Sequence, residues 1–340
     1  MNIGLIPQKW ARLTPKKTAV YDESNKKRIS FAELDQMVNQ IANAFIDLGA
    51  NKGDRVGILS RNSIEHLAIF YACGRSGLIA QPMNWRLSSK ELLKIIENGK
   101  PKIVVTESFF NGLTNELKIG AGLVECWLEY GEQGDGSFET VLEKSDTSEP
   151  AVCKEIISSD SFFILYTGGT TGESKGALHS HKSVWYGMQN QTVAERIVPS
   201  DVYMLTGQMF HIPVVLAMNY HAHGCPLVLM NFEPKLALDL IEAESVSAFL
   251  GVTTMLNWMM AVDNFNSYDL SSLRNIQYGG GPMPTRVIKE ALDSFPCTLI
   301  QGYGQTEGTT MTFLSQEDHL LAIRDNYCLL YTSPSPRDAT

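Results

Sequence analysis

Short runs rich in β-branched and aromatic residues alternate with helix-period segments along most of the 340-residue chain. "RVGILS", "KIVVT", "SFFILYT", "DVYMLT", "PLVLM", "SAFLGV", "NIQYGG" and "CTLIQGYG" have the length and composition of buried strands. In "SFAELDQMVNQIANAFIDLG" a capping box at Ser30 and Glu33 opens a helix. Phe31, Leu34, Met37, Ile41, Phe45 and Leu48 form its apolar stripe, and Gly49 stops it. A second helix is entered near Asn62 and Ser63, while "PKLALDLIEAES" and "PTRVIKEALDSF" each carry a proline in the first turn. Strand, helix, strand in series leaves few topologies, because parallel neighbours need a crossover and the crossover helices cover the sheet faces. The fold class is therefore α/β, with mostly parallel, helix-flanked sheets. Ligands in such folds bind at the carboxyl ends of strands. The polar, strand-poor segment 131–150 reads as a surface connection between two α/β halves.

The net charge of -9 argues against a nucleic-acid binder, which needs a basic face. An anion can still be held by a local device. Cys73, Cys126, Cys153, Cys225, Cys297 and Cys328 form no CxxC pair, which fits free thiols in a reducing compartment. The start "MNIGLIPQKWARLTPKK" lacks the pattern of a signal peptide. The most apolar stretch, "IPVVLAMNYHAHGCPLVLM", is interrupted by histidines, Gly224 and Pro226 and is too polar to span a bilayer. A cytoplasmic protein is expected, with room left for peripheral membrane contact.

Three glycine-rich turns end predicted strands. The first, "YTGGTTGESKG", follows "SFFILY". Gly168, Gly169 and Gly172 let the backbone turn tightly and bring N–H groups close to a ligand. Thr167, Thr170 and Thr171 add hydroxyls, and Lys175 adds a cation. Together they make a phosphate cradle, in which each well-aimed donor is worth roughly 3 kcal/mol against a developing negative charge. A Walker loop is excluded, because Ser174 precedes Lys175 and Gly176 follows it. The second turn is "YGGGPMP" and the third "QGYGQTEGTT". A dinucleotide fingerprint is excluded in the third, where Glu307 stands at the position of the last glycine. In that turn Tyr303 offers a flat face for a base, Thr306 a hydroxyl, and Glu307 a hard oxygen suited to Mg²⁺. His179-x-His181 and His221-x-His223-x-Cys225 have the spacing of metal ligands on a strand, but no further ligand cluster supports them.

The three turns, in this order, resemble the signatures of the adenylate-forming (AMP-binding) superfamily, which includes acyl-CoA synthetases, the adenylation domains of peptide synthetases and firefly-type luciferases. The resemblance runs from Thr18 to about Asn326 and includes "GDRVGILSRNSIEHLAIFYACGRSGLIAQPMNWRLSSKEL". It implies ATP, Mg²⁺ and coenzyme A as partners of a small carboxylic acid, which is joined first to AMP and then to the thiol. It also implies roles. Thr167, Gly168, Gly169, Thr170, Thr171, Gly172 and Lys175 form the phosphate loop. Gly280, Gly281 and Pro282 line the adenine, and Tyr303, flanked by Gly302 and Gly304, stacks on it. Thr306 contacts phosphate, and Glu307 binds Mg²⁺, with Thr167 a further candidate beside the phosphates. His211 in "GQMFHIP" stands at the mouth of the acyl pocket, to contact substrate or gate the nucleotide. Gly168 replaces the family's usual serine and Ser174 its usual proline, which removes one hydroxyl and is expected to loosen the turn before Lys175. "PMNWRLSSKEL" and "FLGVTTMLNWMM" lean toward a fatty or other apolar acid, and Gly279–Gly281 leave room for a bulky one. An aryl or medium-chain acid is the alternative, and a noncatalytic nucleotide-binding module is the reading from a different class.

The family's large N-terminal domain and small C-terminal domain extend beyond "QGYGQTE", with a ribose-gripping aspartate and a catalytic lysine. The expectation is a partial N-terminal adenylation domain over 1–326, with little or no turnover by itself. "YCLLYTSPSPRDAT" has neither helix nor strand period, and "CLLYTSPSPRD" resembles the in-frame translation of a sequencing adapter. Residues 327–340 are therefore expected to be a non-native tail.

Overall fold

The computed structural model describes residues 1–167 and 174–325. Gly168, Gly169, Thr170, Thr171 and Gly172, and the tail 327–340, lie outside the described residues.

The strands fall into two sheets. The chain begins in the larger one with β1 (Thr18–Asp22) and β2 (Lys27–Ser30). It then builds the smaller sheet from β3 (Arg55–Leu59), β4 (Ile79–Pro82), β5 (Pro101–Glu107), β6 (Cys126–Tyr130), β7 (Ser161–Tyr166) and β8 (Gly176–Ser180). It returns to the larger sheet with β9 (Tyr203–Leu205), β10 (Leu227–Leu229), β11 (Ala248–Leu250), β12 (Asn275–Gly279), β13 (Thr298–Gln305) and β14 (Thr309–Leu314).

The larger sheet runs β14-β13-β12-β11-β9-β10-β1-β2, with a parallel interior and an antiparallel strand at each edge. The smaller runs β6-β5-β3-β4-β7-β8, parallel except for the β7–β8 pair. The expected α/β class with two mostly parallel sheets is observed. Strand order reverses beside β3 in one sheet and beside β9 in the other, so both sheets open a crevice at their carboxyl ends.

Local chemistry explains the flanking helices. Ser30 accepts from the Glu33 N–H and Glu33 reaches back to the Ser30 N–H, so the expected capping box opens the helix Phe31–Asp47. Ser63 caps the helix Ile64–Ser76, in which every residue but Glu65 is buried. A helix buried all round must lie between two layers. This one packs on β4 and β7 of the smaller sheet. Its Tyr71 also donates to His221 Nδ1 (3.0 Å), and His221 Nε2 donates to the Ala19 carbonyl of β1 (2.9 Å). The buried Arg75 guanidinium is fully used, on the Gly4 carbonyl, Asn39 and the Asp35 carboxylate.

Several expectations need correction. Residues 131–150 join β6 to β7 within one sheet and carry the helix Ser137–Lys144, whose Phe138 packs in the core. The segment is not the joint between the halves; the chain crosses between sheets after β2 and after β8. Pro284 is the N-cap of the helix Thr285–Ser294 rather than part of its first turn. His221 lies on the helix Pro213–Ala222, not on a strand. No described helix is long and apolar enough to cross a membrane.

Candidate functional site

The turns expected to hold nucleotide all sit at carboxyl ends of strands. The described neck of the first turn is closed by paired backbone: the Thr167 N–H donates to the Lys175 carbonyl at 2.9 Å. The Ser174 hydroxyl donates to the Thr167 carbonyl at 2.6 Å. Ser174 therefore ties the neck instead of loosening it. Lys175 is exposed at the end of the neck.

The second and third turns are neighbours, because Gly279 of β12 is in register with Gly302 of β13. A Cβ on Gly279 would collide with the Gly302 carbonyl oxygen, and Gly280 has φ +75°, so glycine is required at both positions. Gly280, Gly281 and Pro282 form an exposed shelf. Tyr303 stands beside it with 38 % of its surface open. Glu307 is exposed and Thr306 half-buried at the turn between β13 and β14.

The first turn belongs to the smaller sheet and the other two to the larger. His179 of β8 joins them: its ring is 2 % exposed, packs on Phe163 with centroids 4.8 Å apart, and places Nε2 2.7 Å from the Thr306 carbonyl. Burial holds this imidazole below its ordinary pKa. The helix His181–Glu195 continues the contact along β14, where Thr310 Oγ1 donates to the Gly187 carbonyl at 3.2 Å.

His211 follows β9, at the crevice of the larger sheet. It lines a cleft of about 530 Å³ together with Pro82, Asn84, Tyr166, Thr167, Ser174 and Phe210. The structure thus brings His211 to the neck of the first turn. Burial, with the nearby Arg86 cation adding to it, lowers the His211 pKa. Trp85, Arg86 and Phe210 form a stacked group at this mouth, with Arg86 4.4 Å from the Trp85 ring centroid and Trp85 edge-on to Phe210. Arg86 and Tyr166, whose hydroxyl donates to Asn98 at 2.8 Å, were not singled out from the sequence. "PMNWRL" carried a signal for Arg86, read only for its apolar character. A second cleft of about 280 Å³, at the ends of β3, β5 and β6, is lined by Glu65, Glu107, Glu132 and Glu139. Its carboxylates make it a poor seat for a polyphosphate.

The histidines spaced as metal ligands are occupied otherwise. His181 Nδ1 accepts from the Ile3 N–H, His221 is bonded on both nitrogens, and His223 meets Thr192. No group of three metal-ligating side chains exists among the described residues. A lone exposed carboxylate such as Glu307 suits Mg²⁺ that arrives with phosphates, because this ion keeps waters and takes only one or two protein carboxylates.

The AMP-binding enzyme family model matches residues 7–327. The long-chain-fatty-acid–CoA ligase FadD13 of Mycobacterium tuberculosis is 31% identical over 325 residues, covering 94% of this chain and 63% of the relative. A feruloyl-CoA synthase from Amycolatopsis is 27% identical over 94% of this chain and 62% of its own length. The inhibitor-bound crystal structure of the N-terminal domain of FACL13 from Mycobacterium tuberculosis superposes with a TM-score of 0.88 at 30% identity, covering 95% of this chain and 80% of that one. The chain thus spans less than two thirds of the length of these curated relatives.

Proposed function

The chain belongs to the AMP-binding enzyme family, and from that premise we propose that its protein activates an apolar carboxylic acid with ATP and passes the acyl group to coenzyme A. The observation that carries the reading is the meeting of the Thr167–Lys175 neck with the Thr306–Glu307 turn through His179, at the ends of two sheets. A triphosphate laid there meets donors from both sides.

In the first step a carboxylate oxygen attacks the α-phosphorus, the bond to the bridging oxygen breaks, and pyrophosphate leaves. Two anions must approach, so the protein's work is positioning and charge neutralisation. Lys175, Thr167, Thr170 and Thr171 would supply cation and hydroxyls to the phosphates. Gly280, Gly281, Pro282 and Tyr303 would seat the adenine, and Thr306 would contact phosphate. Mg²⁺, held by Glu307 with Thr167 nearby, would neutralise phosphate charge when bound. In the second step the thiol sulfur attacks the acyl carbon and AMP departs with the bonding pair. His211, with Trp85 and Phe210 around it, faces the acid's end of the cleft.

The fatty-acid specificity in the name of one relative favours a fatty acid. The name of another favours an aryl acid. The test is carboxylate-dependent ATP–pyrophosphate exchange with long-chain, medium-chain, aryl and amino acids, followed by CoA-dependent AMP release. Exchange with apolar acids alone is expected of the protein, and little or no turnover of the 340-residue chain. Nucleotide protection against melting, without exchange for any acid in any form of the protein, would instead identify a noncatalytic nucleotide-binding module.

A further inference from the structure

The Thr167–Lys175 neck and the Thr306–Glu307 turn belong to different sheets, yet the proposed triphosphate touches both sides. Something has to hold their separation. The neck closes the β7–β8 hairpin, and His179 lies on β8 four residues beyond Lys175. Its Nε2 faces a carbonyl oxygen, so that nitrogen carries the proton and the ring donates. The acceptor belongs to Thr306 itself, adjacent to Glu307.

A second feature marks the turn as held from outside. Thr309, which closes it, is β-branched yet has φ +55°. Such a residue persists in the left-handed region only where its surroundings impose it. Here they do: the Thr309 side chain lies against the bare Cα of Gly187, and Asn190 Nδ2 donates to the Thr310 carbonyl at 3.4 Å. Gly187 and Asn190 lie on the helix that starts directly after β8. His179 and this helix therefore grip the β13–β14 turn as one continuous clamp.

We propose that His179 is a positioning residue whose hydrogen bond to the Thr306 carbonyl sets the distance between the Thr167–Lys175 neck and the Thr306–Glu307 turn, so that a nucleotide triphosphate engages both sides. The inference rests on the function proposed above and goes beyond it: it assigns a role to a buried side chain that would touch no substrate. A neutral imidazole suits the task, since it donates across the sheet boundary without burying a charge there.

The test compares H179L and H179Q with the wild type by hydrogen–deuterium exchange over residues 302–310 and by Mg·ATP affinity. In H179L, exchange in the turn should rise without nucleotide, and affinity should fall about five- to tenfold, the worth of one buried hydrogen bond. H179Q, which retains an N–H donor, should recover most of both. Unchanged exchange in H179L would overturn the tie, and raised exchange with unchanged affinity would overturn its role in binding. Equal losses in both variants would assign the effect to ring volume and overturn the hydrogen bond's part. If the wild type binds no nucleotide, the proposed function fails, while the exchange data still decide whether His179 holds the turn.

Discussion

Two histidines bridge the layers of this molecule by the same chemistry in opposite settings. His221 and His179 each donate from Nε2 to a backbone carbonyl, Ala19 in one case and Thr306 in the other. His221 is walled in by Tyr71 and Phe31, and its second nitrogen accepts from Tyr71. It fastens the centre of the fold. His179 sits at the rim, where the carbonyl it holds belongs to a turn with exposed chemical groups. The identical bond is architectural where both ends are enclosed, and becomes functional where one end is attached to a surface that must meet a ligand.

The sharpest way to break the comparison is H221L. It strands a tyrosine hydroxyl and a carbonyl in the core, and each unsatisfied group costs about 1 to 3 kcal/mol. A loss of about 3 kcal/mol or more in chemical denaturation is expected, far above that of H179L. Burial also pushes the His221 pKa down to about 4, from an ordinary 6.5. The unfolded chain takes up that proton first, so this contribution to stability is present above pH 6.5 and is lost as pH falls toward 4. H221L should lack that part of the acid slope.

K175A should do the reverse. The side chain is exposed, so stability should stay within about 0.5 kcal/mol of wild type. Triphosphate affinity should fall ten- to hundredfold, about 1.4 to 2.8 kcal/mol, in a titration calorimeter. A large stability loss would show that rim and core are not separable.

Glu195, at the end of the helix His181–Glu195, extends the core side of the comparison. Burial pushes its carboxyl up to about 7 from an ordinary 4.5, against the hydrogen bond from the Tyr220 hydroxyl at 2.5 Å. Between those values the folded chain keeps a proton that the unfolded chain has lost, so stability falls as pH rises through the window. E195Q should gain about 1 to 2 kcal/mol over wild type by pH 8 and converge with it below pH 4.5, measured by urea denaturation. The smallest effect is expected from S174A, which opens the loop neck: about 1 kcal/mol or less in stability and a few-fold in triphosphate affinity.

Much of this was legible in the sequence. Eight strands announced themselves as apolar runs, and the capping box at Ser30 located its helix to the residue. Three glycine-rich turns gave the candidate site. β1, β2, β4, β6, β8 and β14 escaped notice: each is only four to six residues long, and β2, β8 and β14 mix exposed with buried positions. The helix His181–Glu195 was hidden because it touches strands and helices on several sides and so has no clean stripe. His179 was weighed only as a metal ligand. Its partner is a backbone carbonyl more than a hundred residues away, and side-chain patterns do not record carbonyls. The polar segment 131–150 misled for a related reason: a helix anchored by the single aromatic Phe138 looks like linker until its docking site is seen.

The path of the chain through its sheets also sets a timetable. β1 lies between β2 and β10, so its parallel partner, at Leu227–Leu229, is synthesised roughly two hundred residues after it. At about 5 to 20 residues per second, a β1–β2 hairpin leaving the ribosome waits on the order of ten to forty seconds with one apolar edge unclaimed. During that interval the smaller sheet can assemble completely, but the helix Ile64–Ser76 has cover on one face only. A late lock in the middle of the protein is then His221, which arrives just before β10 and ties the first strand made to the helix Ile64–Ser76.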